Sequence, residues 1–381
     1  MRTQTRIEDE PAAGSACGTG ATRRTVDIGD LELESGVVLP GVRIAFELFG
    51  DLDATRGNAV LVFHGLAADS HLVRSAEDPR PGWWEGVVGE GLGLDTRRWC
   101  VVSAAILGGC GGSTGPLSLA PDGAPWAGRF PAVTIRDQVR AVLEAGRALG
   151  ITRWAAVVGA SFGAMHALEW HVSHPGTAAR TAVIAGPWQT TAEQIVQNSL
   201  QVEIVRADPH FHGGFYAGYG TAPTRGLALA RTLGMLSYRG SDEMETRFGR
   251  APQEGTDGTF AVESYFAANA TKFAERFDAN SFIALVTAKN THDIGRGRGP
   301  AADVLRAADG PLLVLGIRTD RLFPLDQQRF VAAHSPGSVT GSVPAILDAP
   351  HGHDSFLIAQ DLVGAQLSSF LGAGESAQGK R

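Results

Sequence analysis

Short apolar runs alternate with helical periods along most of the chain, and this alternation narrows the architecture more than any other feature. Ala59-Val60-Leu61-Val62-Phe63 contains no polar residue, and Trp99 to Ile106, Trp154 to Val158, Thr181 to Ala185, Pro311 to Ile317 and Val343 to Leu347 are nearly as apolar. Runs of this kind are strands buried on both faces. Between them, Val133 to Leu149 places Ile135, Val139, Val142 and Leu143 at helical spacing with Gly150 as the stop, and a second helix is expected from Phe162 to His174, ahead of Pro175. The pattern predicts an α/β fold, a mainly parallel sheet covered by helices on both faces. Val42 to Phe49 alternates in polarity and is expected at a sheet edge.

The rhythm breaks between about Pro187 and Leu305. Gln194 to Val205, Gly226 to Leu236, Glu263 to Phe273 and Asn280 to Lys289 read as helices with no buried strand among them. Such an insertion is expected to form a lid over the C-terminal edge of the sheet, where ligands of open α/β folds bind. The expected organisation is a disordered tail over residues 1–24, a core domain over 25–186 and 306–374, and a helical lid over 187–305. With 44% hydrophobic and 19% charged residues in 381, the chain is neither disordered nor fibrous. A formal net charge of −7 and the lack of a basic run argue against a nucleic-acid partner. The three cysteines, Cys17, Cys100 and Cys110, form no CxxC and no framework, so a reduced compartment without a disulfide scaffold is expected. No apolar run approaches the roughly 18–20 residues of a membrane span, and the start of the chain lacks the apolar stretch of a signal peptide. A cytoplasmic location away from membranes is the expectation.

Glycine, at 49 of 381 residues, makes short glycine motifs easy to find by accident. The pattern G-x-S-x-G occurs twice, and chance alone supplies roughly a third of a match. Gly159-Ala160-Ser161-Phe162-Gly163 follows an apolar strand directly and precedes a helix, the arrangement of a nucleophile on a strained strand-to-helix turn. Gly111-Gly112-Ser113-Thr114-Gly115 is followed by Pro116 and a polar loop, which makes Ser113 a decoy. The run Gly108-Gly109-Cys110-Gly111-Gly112 lacks the ending of a phosphate-binding loop. Ser161 is therefore the expected nucleophile.

A serine nucleophile needs a base, and the base needs a carboxylate to fix its tautomer. Asp320 lies three residues beyond the strand Pro311 to Ile317, and Ala349-Pro350-His351-Gly352-His353-Asp354 follows the next strand. Chain order and placement fit an acid and a base. His353, flanked by Gly352 and preceding a helix, is favoured over His351, and Asp320 over Asp348. The oxyanion donors are expected to be the backbone amides of Phe162, at the positive end of its helix, and Leu66, after the strand ending at Phe63. His64 is expected to be structural. His210 and His212 are too few for a metal site, and none is expected.

Several blocks of the chain resemble the homoserine O-acetyltransferase family. They include Pro81-Gly82-Trp83-Trp84, the run from Leu107 to Pro116, Ala167-Leu168-Glu169-Trp170, Asp208-Pro209-x-Phe211-x-Gly213-Gly214, Gly226 to Arg231, Val262-Glu263-Ser264-Tyr265, Phe277 to Ser281 and Gly352-His353-Asp354-x-Phe356. The resemblance runs from about residue 25 to 371. It implies an α/β-hydrolase fold and an acyltransferase of methionine biosynthesis, moving acetyl from acetyl-CoA to L-homoserine by a ping-pong mechanism through an acyl-serine. It implies Ser161, His353 and Asp320 as the triad, Arg231 for the substrate carboxylate, Asp354 for its amino group and Tyr238 in support. It further implies acetyl-CoA as co-substrate with no bound cofactor, small-molecule partners, and a homodimer with the lid helices at its interface. Ala160, Phe162 and Ala164 depart from the family's Gly-Gly-Ser-Met-Gly-Gly, and Leu66-Ala67-Ala68 from its Leu-Thr-Gly. These changes flank the acyl and acceptor pockets. L-serine or another hydroxyl acceptor, succinyl-CoA as donor, and a plain serine hydrolase are the competing readings.

Overall fold

The computed structural model describes residues 7–9, 23–76, 78–256 and 258–372. Among these described residues, nine strands make one sheet: β1 (Ile7–Asp9), β2 (Arg24–Glu32), β3 (Val38–Phe49), β4 (Ala59–Phe63), β5 (Cys100–Ala104), β6 (Ala156–Ala160), β7 (Thr181–Ile184), β8 (Leu312–Ile317) and β9 (Ala345–Leu347). Their order across the sheet is β1-β2-β3-β5-β4-β6-β7-β8-β9. Neighbours from β1 to β5 in that order are antiparallel, and every neighbouring pair from β5 to β9 is parallel. The apolar runs read from sequence are thus the parallel strands.

Burial on both faces explains why those runs are apolar throughout, except at the edge strand β9, where the expected two-sided burial fails and Val343 and Ile346 are exposed. In β4, Leu61 and Phe63 join one core cluster and Val60 and Val62 the other. The first core is built with α1 (Ile135–Ala148) and α2 (Phe162–Ser173), through Val139, Val142, Leu168 and Trp170. The second is closed by Trp84 and by the C-terminal helix Gln360–Gly372, through Val363, Leu367 and Phe370. Helix α1 begins with a capping box between Thr134 and Asp137. It ends where Gly150 takes φ 76°, with the Gly150 amide donating to Arg147 O and the Ile151 amide to Gly146 O.

Between β7 and β8 lie α3 (Ala192–Arg206), α4 (Thr224–Tyr238), α5 (Ser241–Arg247), α6 (Ala261–Arg276) and α7 (Ala279–Asn290), followed by the short helix Ala301–Ala307. Helix α3 packs on α4 and α7, and α4 on α6. Among the described helices, none is long and apolar enough to cross a membrane.

Three expectations need correction. Val42 to Phe49 lies third from its side of the sheet, because β1 and β2 pair outside it. The stretch expected as a tail contains strand β1, paired with the start of β2 through Ile7 and Val26, and the buried Arg23; residues 1–6 and 10–22 lie outside the described residues. Cys110 is disulfide-bonded, whereas Cys100 is a buried free thiol.

Candidate active site

Ser161 stands at the joint between β6 and α2 with φ 58° and ψ −119°, a conformation that L-residues rarely adopt. The flanking glycines make this turn sterically feasible. A Cβ on Gly159 would lie 2.0 Å from Gly163 O, and one on Gly163 would lie 2.1 Å from Phe63 O. A side chain at Gly159 would force the turn itself open, and one at Gly163 would push it off β4. The sharp turn lifts the Ser161 hydroxyl from the sheet edge toward the loops beyond β8 and β9.

Those loops supply the two partners. His353 lies in a short turn (Gly352–Asp354) after β9, and its Nε2 is 2.6 Å from Ser161 Oγ. Its Nδ1 is 2.6 Å from Asp320 Oδ2. With an ionised carboxylate on one side, Nδ1 carries the proton and donates to Asp320, which leaves Nε2 to accept from the serine hydroxyl. Asp320 is fixed in turn through Oδ1, which accepts from the amides of Leu322 and Phe323 at 2.8 and 2.9 Å. Thr319 joins the two loops: its hydroxyl donates to Ala349 O at 2.7 Å and accepts from the Gly352 amide at 3.1 Å. The His353 ring is packed by Phe323 and Phe356 at 5.2 and 5.5 Å between centroids.

The rejected alternatives sit elsewhere. Asp348 is a surface residue paired with Arg318 at 3.1 Å. His351 is half-buried, and among the described residues its Nδ1 has no partner. Ser113 is buried; its hydroxyl donates to Ala105 O at 2.6 Å and accepts from the Ala45 amide at 2.9 Å. His64 accepts from the Ile106 amide at 3.3 Å through Nε2, so Nδ1 carries the proton and donates to Gly65 O at 2.8 Å. Burial pushes its pKa down. His64 therefore braces the loop that carries Leu66.

Ser161 and His353 open into a cavity of about 810 Å³ that Leu66, Arg231, Tyr238 and Asp354 also line. The Phe162 amide begins α2 beside Ser161, and Leu66 faces the cavity from the loop after β4. The Arg231 guanidinium lies over the rings of Tyr238 and Phe273, at 5.1 and 4.9 Å from their centres. Tyr238 in turn lies 6.0 Å from the His353 ring, and burial raises its phenol pKa. Asp354 makes no cap bond to the helix that follows it. Its carboxylate lies 3.6 Å from Arg239 instead. Burial pushes its pKa up, against the fields of His353, Arg231 and Arg239.

Several residues of the cavity were not found from sequence. Arg80, Lys272 and Arg276 line it along with Arg231, against the acidic Asp69 and Asp354, so cationic side chains are in excess. Arg276 donates to Ala67 O at 2.8 Å, and Arg80 is clamped by Asp78. Among the described residues, no group of three or more His, Cys, Asp or Glu side chains could hold a metal ion.

The α/β hydrolase fold family matches residues 58–359. The chain is 48% identical to a homoserine O-acetyltransferase of Clavibacter michiganensis subsp. michiganensis, over 95% of this chain and 96% of that one. It is 46% identical to a homoserine O-acetyltransferase of Thermobifida fusca, over 92% and 93%. Among solved structures, a homoserine O-acetyltransferase from Bacillus anthracis superposes with a TM-score of 0.82 at 26% identity, over 92% of this chain and 97% of that one. An acetylester hydrolase from Corynebacterium glutamicum gives 0.79 at 26% identity, over 92% and 96%.

Proposed function

The chain belongs to the homoserine O-acetyltransferase family of α/β-hydrolase-fold enzymes, and from that premise we propose that it acetylates the hydroxyl of L-homoserine with acetyl-CoA. The observation that carries this reading is one cavity holding the Ser161–His353 pair together with a cation and an anion, Arg231 and Asp354. An amino acid presents the opposite charges. Its carboxylate suits Arg231, its ammonium suits Asp354, and its side-chain hydroxyl then points at the nucleophile.

In the first half-reaction Ser161 Oγ attacks the thioester carbonyl while its proton passes to His353 Nε2, and Asp320 stabilises the imidazolium that forms. The oxyanion is met by the amides of Leu66 and Phe162. Collapse breaks the C–S bond, the sulfur leaves with the proton from His353, and acetyl-Ser161 remains. In the second half-reaction His353 takes the homoserine hydroxyl proton, the oxygen attacks the acetyl carbonyl, and Ser161 leaves with that proton. O-acetyl-L-homoserine and CoA are the products, and methionine biosynthesis is the route they serve. The excess of cations around the cavity suits a donor that carries phosphates. Water competes for the acetyl group, so the lid helices are assigned the role of excluding it.

A plain esterase is the second reading, favoured by the similarity to the acetylester hydrolase. The discriminating experiment crosses homoserine, serine and threonine with acetyl-CoA and succinyl-CoA and identifies products by mass. The proposal expects O-acetylhomoserine, with CoA release strongly dependent on homoserine. CoA release indifferent to every amino acid would establish a hydrolase instead. A serine or succinyl product would keep the chemistry and change the substrate.

A second copy of the chain is proposed as its partner, seated on the lid. Val196 and Leu200 on α3 and Leu229 and Leu236 on α4 are apolar and between 48% and 68% exposed on two helices that pack together.

A further inference from the structure

Lys289, on α7, is only 5% exposed and does not line the cavity. Among the described residues its ammonium makes one hydrogen bond, to Asn198 Oδ1 on α3 at 3.1 Å. It also lies 5.4 Å from the centre of the Phe323 ring. An ammonium removed from water needs more compensation than one amide oxygen and one aromatic face. The charge whose field favours it is the carboxylate of Asp320.

Phe323 connects the two. Its amide donates to Asp320 Oδ1 at 2.9 Å, and its ring packs edge-on against His353 at 5.2 Å. The same segment is held by α3, where Gln194 Nε2 donates to Leu322 O at 2.6 Å. One helical turn on, Asn198 Nδ2 donates to Asn290 Oδ1 at 2.7 Å, which ties α3 to the end of α7 beside Lys289. The lid helices therefore reach the acid of the triad from behind.

We propose that Lys289 is a positioning residue of the triad, holding Phe323 against Asp320 and His353 and offsetting the buried carboxylate with its own charge. The inference rests on Ser161, His353 and Asp320 being catalytic, and it is independent of which donor and acceptor the enzyme uses. Replacing a cation by a neutral group raises the pKa of an acid that faces it. Asp320, with His353 beyond it, is the titratable pair facing the ammonium. The neighbouring groups of α3 are the uncharged amides Gln194 and Asn198, and burial lowers the pKa of His292, just after α7.

The test is the pH profile of kcat/KM for acylation by p-nitrophenyl acetate, which requires neither acetyl-CoA nor homoserine. In Lys289→Gln the acid limb is expected to move up by about 0.5–1 pH unit, and Lys289→Arg restores it. An unmoved limb, with a rate loss that matches the loss of folded protein by circular dichroism, overturns the proposal. Should Lys289→Gln not fold, Lys289→Met, which keeps the unbranched stem without the charge, is read in the same way, and an unmoved limb in the folded variant overturns the proposal. Ester acylation that survives Ser161→Ala would instead overturn the triad.

Discussion

Gly240 lies against Gly352 with no room for a side chain between them. A Cβ on Gly240 would be 2.3 Å from Pro350 O, and one on Gly352 would be 2.4 Å from the Gly240 amide nitrogen. Gly240 follows α4 and Gly352 precedes His353, so the inserted helices touch the loop that carries His353. Gly240→Ala is expected to displace that loop and lower the acylation rate at least about tenfold, since misplacement by about 1 Å can cost a hundredfold. Gly218→Ala, in open space at an ordinary φ, should leave the rate unchanged. Stopped-flow acylation by p-nitrophenyl acetate checks both, and equal rates for the two variants would contradict the coupling.

Ser113→Ala should separate structure from chemistry. Its hydroxyl joins Ala105 to Ala45 across buried backbone, so its loss leaves both groups wanting partners. About 1–3 kcal/mol of stability should go, measured by urea denaturation. Acylation by the folded fraction should be retained. A variant with full stability and no acylation would reverse the roles of Ser113 and Ser161.

This contrast also shows which features were legible. Ser161 could be read because strand, strained turn and helix are contiguous, and Gly159 and Gly163 are required by atoms within that short unit and the adjacent β4. Asp320 and His353 could be read because each follows a parallel strand in a fixed order. Arg239, Lys272 and Lys289 could not. They lie in or beside the inserted helices, and only tertiary packing brings them near Ser161, Asp320 and His353, with no local spacing to record it. Helix α5 escaped for a related reason: its seven residues bury none of their side chains, so no apolar period marks it. Cys110 looked isolated because disulfide pairing depends on approach in space.

Stability should fall on acidification before any carboxylate titrates strongly. Burial lowers His166 from 6.5 to about 3 and His171 from 6.5 to about 4. Between 6.5 and those values the unfolded chain binds protons that the folded chain refuses, so folding free energy is lost as pH falls through that window. His71 opposes this: its pKa is raised, against the cost of burial, by Glu47, Asp78 and Arg80 O, so its contribution is present below 6.5 and lost as pH rises through the folded value. Burial also lowers His64, His174 and His292, so urea unfolding across the window should show stability falling with pH by a net slope of more than one proton. A flat profile would contradict the burial of His166 and His171 as neutral rings.

The lid face gives a test of assembly. Leu200→Glu combined with Leu229→Glu places charge on α3 and α4 where both side chains are about half exposed. Light scattering should report a dimer for the wild type and a monomer for the variant. A wild-type monomer at micromolar concentration would remove the second copy from the account.

The central claim is that Ser161 carries an acetyl group between two substrates. Intact-protein mass spectrometry after mixing with acetyl-CoA alone should show the addition of one acetyl group, located on Ser161 by peptide mapping and absent in Ser161→Ala. Added L-homoserine should discharge it to O-acetyl-L-homoserine far faster than water does. No adduct, or an adduct that homoserine discharges no faster than buffer, would contradict the account.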